Sequence, residues 1–361
     1  MPITVQVAAV VLAHAVGAWL ITYLLHSTVL ILIAHGIERL RVQPALHAVV
    51  WRTAIFGPVL TASIHTSLPF GSPFRMSAAP AGAVLGPRPL LALLVVAAWC
   101  VLIGMRAVGA LRAELRGQAA LALRRPCRDP ALTRRLRSLC RRTSGMRRMP
   151  LLTTSHRIVS PVVLASAEIC VPDGFDLLPA AQQDALLAHE FAHIVRRDPL
   201  WCGLAHFITR LCSFQPLNRG ALARLRTASE FAADAHAVRT TGDARSLALA
   251  LEHLATRALA AFELRGAATH TAASGSPLVQ RIRVILDSGT ATPCDVRPRT
   301  AAALITLLLG LCLAVGPGVN FSPDDAANSI PSLRPSRAEP GPDMIRMREV
   351  TRSLRSIEIL P

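Results

Sequence analysis

Lysine is absent from this chain, so its formal charge of +17 comes from 39 arginines set against 22 acidic residues in 361 positions. With heavy alanine use, that pattern reads as the coding bias of a GC-rich genome rather than as chemistry. Aromatic residues make up 4% of the chain, and none falls within the arginine-rich stretch 112–148. A basic segment without stacking side chains or a groove-reading motif argues against nucleic-acid binding. The single tyrosine, Tyr23, lies in an apolar run, which removes tyrosine from the donors available to any site later in the chain. No C-x-x-C pair occurs among Cys100, Cys127, Cys140, Cys170, Cys202, Cys212, Cys294 and Cys312. Their spacing suits small buried hydrophobes in a reducing compartment better than disulfides or a cysteine zinc site. No internal repeat is evident.

What the chain has in quantity is apolar length. It is 52% hydrophobic with a positive mean hydropathy, and apolar runs lie near 8–34, 47–68, 90–111 and 300–319. About 20 such residues cross a bilayer as a helix. Arg52 sits near one end of the second run, where it can snorkel, and His14, His26 and His35 read as helix-packing or interfacial residues. The first run is too long for a signal peptide and lacks a small-residue cleavage site. Arg39, Arg41 and Arg52 follow the first run, only Arg75 and Arg88 fall in the next loop, and Arg106, Arg112, Arg116, Arg124 and Arg125 follow the third. The positive-inside rule then places the N-terminus outside and the large segment inside. The expected organisation is three transmembrane helices within 1–112, a cytosolic domain over 113–298, a fourth transmembrane helix over 299–319 and an extracytoplasmic tail over 320–361. That tail is expected to be disordered, apart from a short helix near Met344 to Leu360.

Within 113–298 the pattern predicts a basic helix over 130–143 and strands near Leu151–Thr154 and Val162–Val171, where β-branched residues cluster between prolines. Pro179 stands at a helix start, and Ala180 to Arg197 reads as helix. An apolar helix over 199–214, resting on the membrane, and helices near 217–239 and 243–263 follow. Strands first and helices afterwards describe an α+β domain.

The chemistry concentrates in His189-Glu190-Phe191-Ala192-His193, an H-E-x-x-H stretch on the predicted helix. Histidines at i and i+4 share a face and can hold one Zn²⁺, with the glutamate placed as general base for an attacking water. A catalytic zinc needs a third protein ligand. Glu230 is the choice, four residues before Asp234 on the same helical face, and Asp234 is then placed to accept an N–H from a ligand histidine. Asp198 reads as the cap of the helix beginning at Pro199. His206 and His236 read as core or surface residues before transition-state donors; an arginine such as Arg224 or Arg226, or a histidine, has to fill the oxyanion role. The strand near 162–171 is read either as sheet core or as an edge that pairs an extended peptide.

Several segments together resemble the BlaR/MecR-type membrane gluzincin peptidases: Ser160-Pro161-Val162-Val163, Val171-Pro172, Leu187 through Asp198, Trp201, Phe214 through Leu217, and Glu230 through Asp234. The resemblance covers most of residues 14–319. It implies a zincin-type (gluzincin) metallopeptidase domain inserted in a four-helix transmembrane framework, mostly α. It also implies one Zn²⁺ per chain on His189, His193 and Glu230, with Glu190 catalytic. The chain departs from the family pattern at Ala165, Ala167 and Glu168, where a glycine and an Arg-Pro are common, and at Ala233, where a cysteine is. The E-x-x-A-D form is also similar to HtpX/CAAX-type membrane peptidases, and nothing here resembles the β-lactam-binding domain of the named receptors. The resemblance implies a protein or peptide substrate, with a cytosolic transcriptional repressor as one candidate, a lipid bilayer as the setting, and no direct nucleic-acid partner. Quality-control proteolysis is the alternative within the class, and a catalytically silent signalling scaffold the alternative outside it. An intramembrane protease of the site-2 type is disfavoured, because Gln182, Gln183, Asp184, Arg196 and Arg197 flank the motif.

Overall fold

Length and apolarity fix the first elements. The computed structural model describes residues 3–40, 43–67, 76–77, 89–121, 123–142, 149–164, 167–263, 277–288, 296–316 and 319–320. Helix α1 runs Ile3–Glu38 and α2 runs Pro44–Ser67. Each contains a stretch long and apolar enough to cross a membrane, Ala15–Glu38 and Pro44–Ser67. The third run is helical as α3 (Pro89–Leu121), and among the described residues its apolar stretch covers Ala97–Gly109. Gly57 lets α2 lie close to its neighbours: a Cβ there would meet Leu309 Cδ2 at 2.8 Å and Leu30 Cδ1 at 3.1 Å.

The segment after α3 supplies the sheet and most of the remaining helices. The short strand β1 (Met76–Ser77) precedes α3; after it, β2 (Arg125–Pro126) is followed by α4 (Pro130–Arg142). Asp129 starts α4, its Oδ1 accepting the Ala131 N–H at 2.7 Å, with proline at the first helical position where its missing N–H costs nothing. Leu132, Leu136 and Leu139 form its buried stripe, at the i, i+4, i+7 spacing of a helix face. Strands β3 (Leu151–Ser155), β4 (Val162–Leu164) and β5 (Glu168–Pro172) complete a four-stranded sheet of order β2-β3-β5-β4, in which only β3 and β5 run parallel. The expected single strand over 162–171 is therefore a hairpin. Ala167 takes a left-handed φ of 56°, and the chain folds back so that Val163 stands opposite Ile169. The fold-back leaves β5 in the interior and β4 at the edge. Glu168 is buried, and its charge is met by Arg124 Nε at 2.5 Å and Thr153 Oγ1 at 2.7 Å.

A 3₁₀ turn (Phe175–Leu177) leads into α5 (Ala180–Val195), α6 (Asp198–Leu211), α7 (Leu217–Thr241) and α8 (Ala244–Glu263). After these come α9 (Pro277–Ser288), α10 (Pro298–Val315) and β6 (Val319–Asn320), which pairs with β1. The fourth apolar run is thus α10, with an apolar stretch over Pro298–Ala314 among the described residues. The predicted tail beyond residue 320, with its helix near Met344 to Leu360, lies outside the described residues.

Two cores result. One joins α4, the sheet, α5 and α8 through residues such as Leu136, Ile169, Phe175, Leu187, Phe191 and Leu247. The other joins Leu30, Ile31, Trp51, Ala54 and Ile55 of α1 and α2 to Ala205 of α6, to Ala221, Leu222, Leu225 and Ala228 of α7, and to Leu308 of α10. Its members come from both sides of residue 112. Polar contacts reinforce it: Asn218 Nδ2 donates to Tyr23 Oη at 2.8 Å, and Gln215 Nε2 donates to Ser27 Oγ at 2.6 Å.

Candidate metal centre

Helix α5 begins without a side-chain cap at Pro179. Gln183 anchors it instead, its Nε2 donating to the Asp176 and Leu178 carbonyls at 3.0 and 2.7 Å. Residues 185–192 of the helix are buried without a break, so the H-E-x-x-H face is held rigidly. His189 and His193, one turn apart, bring their Nε2 atoms within 3.3 Å of each other. Glu230, in the middle of α7, places Oε2 at 3.5 Å from the first and Oε1 at 3.7 Å from the second. Tetrahedral zinc with ligands at about 2.0–2.1 Å sets its donors about 3.3 Å apart. The spacing and the donor chemistry, two imidazoles and one carboxylate, both fit that ion, and these three residues could hold a metal.

The electrostatics of the cage point the same way. Burial alone would lower the His189 pKa, but the Asp234 and Glu230 carboxylates override it and raise it to about 10. Glu230, whose burial works in the opposite sense, is drawn down to about 2 by His189 and Arg281. Asp234 is also held below the usual carboxylate range, its burial outweighed by Arg281 and His189. The two carboxylates therefore favour positive charge beside them, as a proton on His189 or as a divalent cation competing for the same site. Glu190 differs. It is 8% exposed, and burial raises its pKa, offset only in part by the two histidines. A carboxyl moved toward neutrality is better matched to proton transfer than an ordinary one.

Each histidine is backed by a carboxylate and an arginine. Asp234 Oδ1 lies 2.9 Å from His189 Nδ1, at ion-pair distance but without good hydrogen-bond alignment. Arg281 of α9 forks onto Asp234, with Nε to Oδ2 at 2.7 Å and Nη2 to Oδ1 at 2.8 Å, and its Nη1 lies 2.9 Å from Glu230 Oε2. On the other side, Asp198 Oδ2 lies 2.9 Å from His193 Nδ1 and accepts from Arg196 Nε at 3.1 Å, while Arg52 Nη2 of α2 donates to Asp198 Oδ1 at 2.6 Å. Asp198 is thus not the cap expected of it: no side-chain cap bond is made, and the cap position is Arg197. The left-handed Arg197, φ 55°, turns the chain between α5 and α6 and brings the following Asp198 back under His193.

The residues converge on a cleft of about 450 Å³. Its lining includes His189, Glu190, His193, Glu230, Arg226 and Arg281, with Ser160 and Pro161 just before the edge strand β4, Val162 and Val163 on it, and Leu251 and Leu254 of α8. Of the suggested oxyanion donors, Arg226 lines the cleft and its Nη2 contacts His206, whereas Arg224 reaches away to Glu38 at 3.2 Å. His236 is buried and is not part of the lining. Arg281 escapes the sequence reading, which gives Asp198 and Arg52 other roles, a helix cap and a snorkelling side chain. The position of Asp198 five residues past His193 is the only local signal among them; the two arginines come from helices far away in the chain.

The family described as BlaR1 peptidase M56 matches residues 75–285, more than half of the chain and all of the cage. No curated protein matches. The chain belongs to the M56 family. That membership implies peptidase activity of the metallopeptidase type, and with the two apolar helices it supports association with a membrane.

Proposed function

We propose that this M56 chain is an integral membrane zinc endopeptidase with its active site on the cytosolic side, His189, His193 and Glu230 as metal ligands and Glu190 as general base. The observation that carries the reading is the convergence of two Nε2 atoms and the Glu230 carboxylate within 3.3–3.7 Å, beside Glu190 and under an edge strand. Bound zinc supplies a Lewis acid that polarises the scissile carbonyl and makes water a nucleophile near neutral pH. Glu190 takes the proton from the attacking water and passes it to the leaving amine. Asp234 and Asp198 hold the two imidazoles in register, and Arg281 holds Asp234 and Glu230 together. The edge strand Val162–Leu164 pairs with an extended stretch of substrate by backbone hydrogen bonds.

In this reading α1, α2, α3 and α10 are four transmembrane helices, both chain ends are extracytoplasmic, and the arginine-rich flanks face the cytosol. The substrate is a cytosolic protein; resemblance to the BlaR/MecR receptors makes a transcriptional repressor the first to try. The test is cleavage of casein, or of the chain itself, by detergent-solubilised protein beside the Glu190→Gln variant. Loss of a general base predicts a fall of about 10²–10⁴-fold in rate with the fold intact. Wild-type rates in the variant would contradict the assignment.

A further inference from the structure

Arg52 is an expensive residue where it stands. It belongs to α2, an apolar helix able to cross a membrane, and lies outside residues 75–285. Its side chain is 18% exposed, and its Nε is buried without a hydrogen-bond partner among the described residues. The guanidinium turns inward, stacks 5.1 Å from the Trp201 ring centroid and donates from Nη2 to Asp198 Oδ1 at 2.6 Å. Trp201 is itself fixed by an edge contact with Phe56, one turn beyond Arg52 on α2. Asp198 and Trp201 are three residues apart on α6, so one face of that helix receives both parts of the arginine.

For stability alone, a buried ion pair offers little that a well-packed apolar pair would not. What it does offer here is orientation. With Oδ1 taken by Arg52, the Asp198 carboxylate presents Oδ2 to His193 Nδ1 at 2.9 Å. A histidine whose Nδ1 proton is held by a carboxylate directs its Nε2 lone pair at the metal and becomes a better ligand. Arg196 also contacts Oδ2, at 3.1 Å, so Arg52 is the described partner on Oδ1.

We infer that Arg52 is a positioning residue of the metal centre: a side chain of the second apolar helix that fixes Asp198, and through it His193. The inference rests on the metal-site reading above. It makes the membrane framework part of the site, because a shift of α2 against α6 moves Asp198 before it moves any ligand.

The experiment uses the full chain in detergent micelles. Cobalt(II) affinity is measured by competition with a chromophoric chelator, together with the visible absorption of the bound cobalt. Arg52→Met keeps the packing stem over Trp201 and removes the charge. The expected result is affinity weaker by about tenfold or more, with altered cobalt bands, as for other losses of a carboxylate–histidine support. Arg52→Lys restores most of the affinity, because the Asp198 contact is made through a single nitrogen. Ile55→Ala, in the same helix interface, lowers the melting temperature and leaves cobalt affinity unchanged. Wild-type affinity in Arg52→Met, a lysine variant no better than methionine, or an equal loss in Ile55→Ala would each overturn the proposal. Wild-type protein that binds no cobalt would overturn the metal-site reading and this inference with it; wild type that binds, beside an unaffected Arg52→Met, overturns this inference alone.

Discussion

The two histidines of the cage are held alike by chemistry and differently by origin. Behind His189 stand Asp234 and Arg281, on α7 and α9, in the part of the chain that the family match covers. Behind His193 stand Asp198 and Arg52, and Arg52 comes from a helix long and apolar enough to span a bilayer. The first clamp is a bidentate fork on a carboxylate that is 2% exposed, and its arginine also touches Glu230. The second rests on single contacts from two arginines, one of them local. One half of the site is therefore built within the peptidase segment, and the other half depends on how that segment sits against α2. The second core, which includes Trp51 of α2 and Leu222, Leu225 and Ala228 of α7, joins the two.

The comparison can be broken most forcefully at Asp234. Asp234→Ala leaves Arg281 without its fork and His189 without its backing. Removing one partner of a buried pair costs about 3–5 kcal/mol, so thermal unfolding should show a large loss of stability together with weakened metal retention. A variant as stable as wild type would mean that the Arg281 fork is dispensable. Asp198→Asn is the matching change on the other side and should cost less. The amide still fills the space and can still accept from Arg52, but it puts an N–H donor where Oδ2 meets His193 Nδ1. Metal affinity about 10–100-fold weaker, with a smaller change in melting temperature than in Asp234→Ala, is expected; chelator competition gives the first number and calorimetry the second. Equal stability losses in the two variants would erase the distinction between the clamps.

A third change calibrates both from outside the site. Asp243 caps α8, with Oδ1 accepting the Ser246 N–H at 2.9 Å and Oδ2 the Ser246 hydroxyl at 2.6 Å. Those bonds hold its carboxyl below the ordinary carboxylate range. Its contribution is thus complete above the unfolded-state pKa and is lost as pH falls through the lower folded-state value. Asp243→Ala should cost about 1 kcal/mol near neutral pH, with the difference from wild type shrinking in strong acid and metal affinity unmoved. A pH-independent difference in denaturation midpoint would show that the cap is not the cause.

How much of this was written locally in the chain follows the same division. The cage was legible because helix geometry converts spacing into proximity: His189 and His193 at i, i+4, and Glu230 and Asp234 at i, i+4, need nothing but a helix to share a face. Asp198 was half legible. Its place after the motif was visible, but the local rules for helix starts made it a cap. Only the left-handed turn at Arg197 returns it to His193, and no glycine or asparagine advertises that turn. Arg281 and Arg52 were not legible, since they lie 47 residues after Asp234 and 146 before Asp198, and only tertiary packing brings them in. The sheet shows the same limit. Residues 162–171 have the composition of one strand, and the reversal at Ala167 depends on β5 choosing β3 as its parallel partner.

The most direct test of the central claim is the metal itself. Elemental analysis of the purified full chain, beside Glu190→Gln and Glu230→Ala, separates holding the ion from using it. The account predicts near-stoichiometric zinc in wild type and in Glu190→Gln, with cleavage lost in the latter, and strongly reduced zinc in Glu230→Ala. Folded, zinc-supplied wild-type protein that retains no metal, or Glu230→Ala that retains it fully, would contradict the account.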